Sequence, residues 1–305
     1  VTTALRLENI VKRYGRRRAL DGLSLDIPGG SLTGLVGSNG AGKTTTLAVI
    51  MGFVRPQSGR VDLLESGPFD AARHAGRVAV LPQDAELPVD GRPLDLLTFY
   101  GALQGLTRPA ARRQAGELLE RVHLADRAQS PLRTLSHGMR KRFCIAQCFL
   151  GEPELILLDE PLSGLDPREA SAMRDFFYAC RGRQALLISS HNLHELEQIC
   201  DRAVFMEQGR VTRADTMTAL TRRAGLAGYF LAGENAPLDA LREAIPEAEF
   251  EFDPAARRLQ CRFDADLRDP AALNRAVLEI LFGAGVGLLE IRLGDRLEQE
   301  YLRQV

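Results

Sequence analysis

The sequence predicts an α/β protein built on a parallel sheet, followed by a small α+β domain. Three observations carry this. Between residues 32 and 206 short apolar runs alternate with helix-patterned segments, the pattern of parallel strands whose two faces are covered by helices. From residue 93 to about 150 that alternation is interrupted by an insert with apolar residues at helical spacing. Near residue 225 the pattern changes again, to strand, helix, strand, strand, helix, strand.

The elements follow in order. Residues 4–7 and 23–27 read as extended, the second ending at the turn signal Pro28-Gly29-Gly30. Residues 32–36 are a short apolar run, followed by a glycine-rich loop and a helix-like stretch over 45–51. Residues 78–81 form a strand stopped by Pro82. In the insert, Leu94, Leu97, Tyr100 and Leu103, then Leu118, Leu119 and Val122, recur at helical spacing. Strands at 155–158, 185–189 and 203–206 then alternate with helices at 169–180 and 193–200. This places an α/β domain at 1–224 and an accessory domain at 225–305, whose β-α-β-β-α-β order is that of ferredoxin-like domains.

Composition narrows the class. The 305 residues are 45% hydrophobic and 26% charged, ordinary for a globular chain. A net charge of -1 gives no whole-chain electrostatic case for nucleic acid or an anionic membrane surface. Residues 1–7 alternate like a strand rather than a signal peptide. The longest apolar stretch, 280–289, holds three glycines and is too short to cross a bilayer. A soluble protein is expected, with any membrane role peripheral. The five cysteines are odd in number and include no CxxC, so they read as small buried apolar residues rather than a disulfide framework or zinc site. Lys12, Lys43 and Lys141 are the only lysines, and Lys43 falls inside the glycine-rich loop.

That loop, Gly37-Ser38-Asn39-Gly40-Ala41-Gly42-Lys43-Thr44, fits G-x-x-x-x-G-K-[ST]. Its glycines let backbone N–H groups turn inward around phosphate oxygens. Lys43 supplies positive charge to the β- and γ-phosphates, the Thr44 hydroxyl reaches Mg²⁺, and the following helix points its positive end at the anion. A plain glycine-rich turn would lack the strand before and the helix after. The strand 155–158 runs into Asp159 and Glu160. Carboxylates at the end of a parallel strand face the ligand crevice. Asp159 suits the magnesium shell and Glu160 the orientation of an attacking water.

Leu135-Ser136-His137-Gly138-Met139, ahead of that strand, resembles the LSGGQ signature of ABC ATPases. The Leu-Ser and second glycine are kept; His137 and Met139 depart. Other motifs of the family stand in its order: Tyr14 as the adenine-stacking aromatic, Gln83 as the Q-loop glutamine, Ser163-Gly164-Leu165-Asp166 as the D-loop and His191 as the switch histidine. The resemblance covers roughly residues 4–220. It implies the ABC-type fold of P-loop NTPases: a parallel-sheet core with an antiparallel β subdomain and a helical subdomain. It implies ATP at Tyr14 and at Gly37 to Thr45, with Mg²⁺ held by Thr44, Gln83 and Asp159. Glu160, His191 and Gln83 become the catalytic group. Ser136, Gly138 and Asp166 are implied to act in trans, on ATP bound to a second copy of the chain. His137 puts close backbone approach at the signature in doubt, and Met139 removes one polar partner; ordinary surface placement of His137 stays open. Tyr14 as plain packing, and Arg16–Arg18 as a solvated turn, also remain open.

The resemblance further implies an ATP-hydrolysing transporter subunit on the cytoplasmic face of the inner membrane, working with an integral permease that docks on the helical insert around residues 99–105. The tail, ending in Arg296-Leu297-Glu298-Gln299-Glu300-Tyr301, resembles that of type-2 ABC exporter ATPases. The alternative is a soluble ABC ATPase acting on nucleic acid or ribosomes. A single phosphate loop, no long heptad run and a near-neutral charge speak against it. A binding module without catalysis is opposed by the presence of Glu160 and His191.

Overall fold

The computed structural model describes residues 2–85, 87–88, 90–221, 226–263 and 270–293. Packing divides the chain into two units, Val1–Met217 and Thr218–Val305. In the first, β1 (Thr3–Tyr14) and β2 (Arg17–Pro28) form a long antiparallel hairpin. Gly15 turns it at a φ of 57°, a conformation glycine adopts without steric cost. β3 (Leu32–Val36) leads into α1 (Lys43–Ile50), and β4 (Ser58–Leu63) returns beside β1 to give a three-stranded sheet of order β2-β1-β4. A single turn, α2 (Ala71–His74), precedes β5 (Val78–Leu81). The insert supplies α3 (Pro93–Leu103), α4 (Arg108–Arg121) and α5 (His137–Gln147).

Alternation then resumes with β6 (Leu155–Asp159), α6 (Pro167–Tyr178), β7 (Ala185–Ser190), α7 (Leu193–Ile199), β8 (Arg202–Glu207) and β9 (Arg210–Thr216); α8 (Met217–Thr221) begins on the last residue of this unit. The central sheet has the order β5-β6-β7-β3-β8-β9. All its pairings are parallel except β8 with β9. Every residue of β3, β6 and β7 is buried, which is why these strands read as unbroken apolar runs.

The order decides where a ligand can bind. β5, β6, β7 and β3 are neighbours, so their carboxyl ends open on one crevice. Each is followed directly by a motif: Gln83 after β5, Asp159 and Glu160 at the end of β6, His191 after β7 and the phosphate loop after β3. Residues far apart in the chain therefore converge.

Several elements differ from the sequence expectation. Residues 4–7 and 23–27 are parts of 12-residue strands, whose outer positions are polar because one sheet face is solvated. β4 and β9 were not visible in the apolar pattern; β9 alternates between half-buried and exposed positions occupied mostly by polar residues. The first helix begins at Lys43 rather than Thr45, because Gly42, at a φ of 111°, already forms its N-cap.

The second unit contains β10 (Leu226–Leu231), α9 (Leu238–Ala244), β11 (Glu249–Asp253), β12 (Arg258–Arg262), α10 (Pro270–Gly283) and β13 (Leu288–Leu293). Its strands pair antiparallel in the order β11-β12-β10-β13. Tyr229, Leu241, Leu259, Val277 and Leu281 form its core. The Tyr229 hydroxyl donates to Asn274 Oδ1, and burial pushes its phenol up. The tail motif from Arg296 to Tyr301 lies outside the described residues.

Candidate functional site

The phosphate loop has its shape because three positions admit no side chain. A Cβ on Gly37 would lie 2.7 Å from the Met206 carbonyl, and one on Gly42 would lie 2.7 Å from that of Ala19. Gly40 takes a φ of 87°. Ala41 is buried and anchors the loop, its N–H donating to Ser38 O and its carbonyl accepting from Gly209 N. α1 begins without a side-chain cap and has no acidic residue in its first turn. Its leading N–H groups are therefore left for an anion.

Lys43 is only 7% exposed. Its Nζ bridges back to Gly37 O at 2.7 Å and lies 3.8 Å from Glu160 Oε1. An ammonium held in so little water interacts strongly with any negative charge placed beside it. Lys43, the glycine cradle and the open helix end together fit a triphosphate.

Two acids stand opposite. Asp159 is 2% exposed and accepts a hydrogen bond from Ser189 Oγ at the end of β7. Glu160 has a φ of 48°, unusual for a residue with a Cβ and worth about 1–3 kcal/mol of strain. Its N–H holds that geometry by donating to Ser189 O at 3.2 Å and Oγ at 3.0 Å. The carboxylate thereby meets His191, whose Nδ1 lies 3.1 and 3.0 Å from its two oxygens. Thr44, Gln83 and Asp159 offer hard oxygen atoms, the donor type Mg²⁺ takes.

A cavity of about 660 Å³ joins these groups. Tyr14, Ser38, Asn39, Gly40, Gly42, Lys43, Thr44, Thr45, Gln83, Asp159, Glu160 and His191 all line it. Tyr14 is half exposed at the end of β1, with Lys12 Nζ 5.1 Å from its ring centre. Ser136, Gly138 and Asp166 are not among the lining residues. Ser136 caps α5, its Oγ accepting from Met139 N at 3.2 Å. That bond uses the backbone of residue 139, so methionine there leaves the cap intact. Asp166 caps α6, accepting from Arg168 N and Glu169 N at 2.9 Å each.

Three residues take places that sequence reasoning did not assign them: Arg17, read only within an arginine run, whose Nη2 donates to Gly40 O at 3.2 Å; Ser163, read only within the D-loop, in the cavity wall; and Ser189 beneath both acids. The polar Ser189-Ser190 pair ending an apolar strand was the available signal for the last.

Fold and site together define a nucleoside-triphosphate-binding α/β protein with a carboxylate, Glu160, beside the phosphate loop. The family model for "ABC transporter" matches residues 20–163. A Nod factor export ATP-binding protein of Ralstonia nicotianae is 32% identical, over 89% of this chain and 84% of its own length. The linearmycin resistance ATP-binding protein of Bacillus subtilis is 33% identical, over 98% and 97%. Among solved structures, an ATP-binding subunit of an ABC transporter superposes with a TM-score of 0.64 at 26% identity, covering 71% of this chain and 91% of that one. The chain belongs to the ABC transporter family of ATP-binding proteins. It is an ATPase subunit of that family, and nucleotide is its ligand.

Proposed function

We propose that this chain energises export across a membrane, two copies closing on ATP and Mg²⁺ beneath a permease at the cytoplasmic face. The contact of Lys43, Glu160 and His191 around one cavity carries the hydrolytic part of that reading. Lys43 moves its charge from Glu160 to the β- and γ-phosphates. Glu160, relieved of that partner, orients water and accepts its proton, while His191 fixes the carboxylate's direction. Tyr14 stacks on adenine. Thr44, Gln83 and Asp159 would hold Mg²⁺, which would supply positive charge at the phosphates. Ser136 and the Gly138 backbone meet the second copy's γ-phosphate, with Asp166 ordering the neighbouring turn. Placement of Ser136 and Gly138 outside the chain's own cavity supports this division.

Among the described residues no helix is long and apolar enough to cross a membrane. On α3, Phe99 and Leu103 are 55% and 69% exposed and stand one turn apart. We assign them to the permease contact. A Phe99→Asp/Leu103→Asp chain is expected to keep nucleotide binding and to lose copurification with its membrane protein from detergent extracts; undiminished copurification would remove the assignment. The export direction rests on the relatives named for export and resistance. The second unit, from about residue 225 by sequence and Thr218 by packing, is assigned a regulatory or dimer-contacting role.

A further inference from the structure

Beneath the signature turn lies an ion pair that no motif includes. Arg142, on α5, is 6% exposed. Its Nη1 donates to Val122 O at 2.6 Å and His123 O at 2.9 Å, just past the end of α4. Its Nη2 donates to Glu169 Oε1 at 2.8 Å. Glu169 stands in the first turn of α6, the helix capped by Asp166 of the D-loop. Its other oxygen, Oε2, fills the space a Cβ on Gly138 would need. A side chain at 138 would therefore displace the Glu169 carboxylate from its seat beside this turn. Above the same turn, a Cβ on Gly164 would lie 3.1 Å from His137 Nε2. The imidazole that replaces a signature glycine thus packs over the D-loop.

These contacts clamp two turns together. The signature turn cannot shift from the D-loop without moving Glu169 from Gly138, and α5 cannot leave α6 without breaking a charge-assisted bond with little access to water. Arg142 extends the clamp to the helical insert through Val122 and His123. We propose that Glu169 is a positioning residue: with Arg142 it holds Ser136 and the Gly138 backbone where they engage the nucleotide of a second copy. The chain's own phosphate loop does not depend on it. This rests on the reading that the site is shared between two copies.

The test uses a Glu160→Gln background, in which slow turnover preserves the ATP-bound dimer. Two readouts are taken on the full chain: affinity for a fluorescent ATP analogue, and the protein concentration at half-maximal ATP-dependent dimerisation by sedimentation. Glu169→Gln keeps an oxygen for Arg142 and nearly the same volume; Glu169→Ala removes both contacts. Nucleotide affinity is expected to stay within about twofold, while the dimerisation midpoint rises about tenfold or more, the scale of coupling between contacting residues, with alanine worse than glutamine. Unchanged dimerisation in both variants overturns the proposal. An equal loss of nucleotide affinity also overturns it, because Glu169 would then support the fold as a whole. If the Glu160→Gln parent itself fails to dimerise with ATP, the shared site falls and this inference with it.

Discussion

Replacing Glu160 by glutamine is expected to leave ATP binding near its wild-type level and to slow turnover by about a hundredfold or more, the usual contribution of a positioned general base. The geometry gives the reason. Glu160 is set in a strained backbone conformation by Ser189, and its two oxygens face His191 Nδ1 at about 3 Å. Glutamine keeps the size and one oxygen but cannot accept a proton from water. ATP should then persist in the closed state, so an ATP-bound dimer should accumulate on sizing columns. Steady-state phosphate release measures the first effect. Wild-type turnover in the variant would remove Glu160 from the reaction.

Lys43→Ala should act at the earlier step. The ammonium is almost fully buried, donates to loop carbonyls and lies 3.8 Å from Glu160 Oε1. Charged hydrogen bonds of this kind contribute about 1.5–3 kcal/mol each, so loss of the contact to phosphate is expected to weaken ATP binding roughly tenfold to a hundredfold. The variant also leaves Glu160 without its cation. Equilibrium binding of a fluorescent ATP analogue reads the change directly, and an unaltered affinity would contradict the assignment of this loop.

Much of this site was legible in the sequence because its residues sit where apolar strands end. The runs before Gly37, Asp159 and His191 are short, fully buried and parallel, so they announce both the strand and the crevice at its carboxyl end. β4 and β9 were hidden because one face of each meets solvent and their residues are largely polar. Contacts between distant segments were hidden for a different reason. Nothing local marks Arg17 as the residue that braces Gly40, or Glu169 as the carboxylate occupying the space beside Gly138. Those follow only from tertiary packing. Two contacts at the signature likewise appear only in the fold: the cap on Ser136 uses the backbone of Met139, and His137 packs beside Gly164.

The central claim is that each ATP site is made by two chains, one giving the phosphate loop and the other Ser136 and Gly138. A symmetric pair then contains two such sites. Mixing a Lys43→Ala chain with a Ser136→Arg chain tests this most directly. In the mixed dimer both lesions fall on one site and the other is wild-type, whereas each parent dimer has both sites damaged. Sedimentation and ATPase assays on the mixture and on each parent are the measurement. Recovery of ATP-dependent dimerisation and hydrolysis in the mixture, absent from both parents, is the predicted result. Full hydrolytic activity from a wild-type chain that stays monomeric in ATP would contradict it.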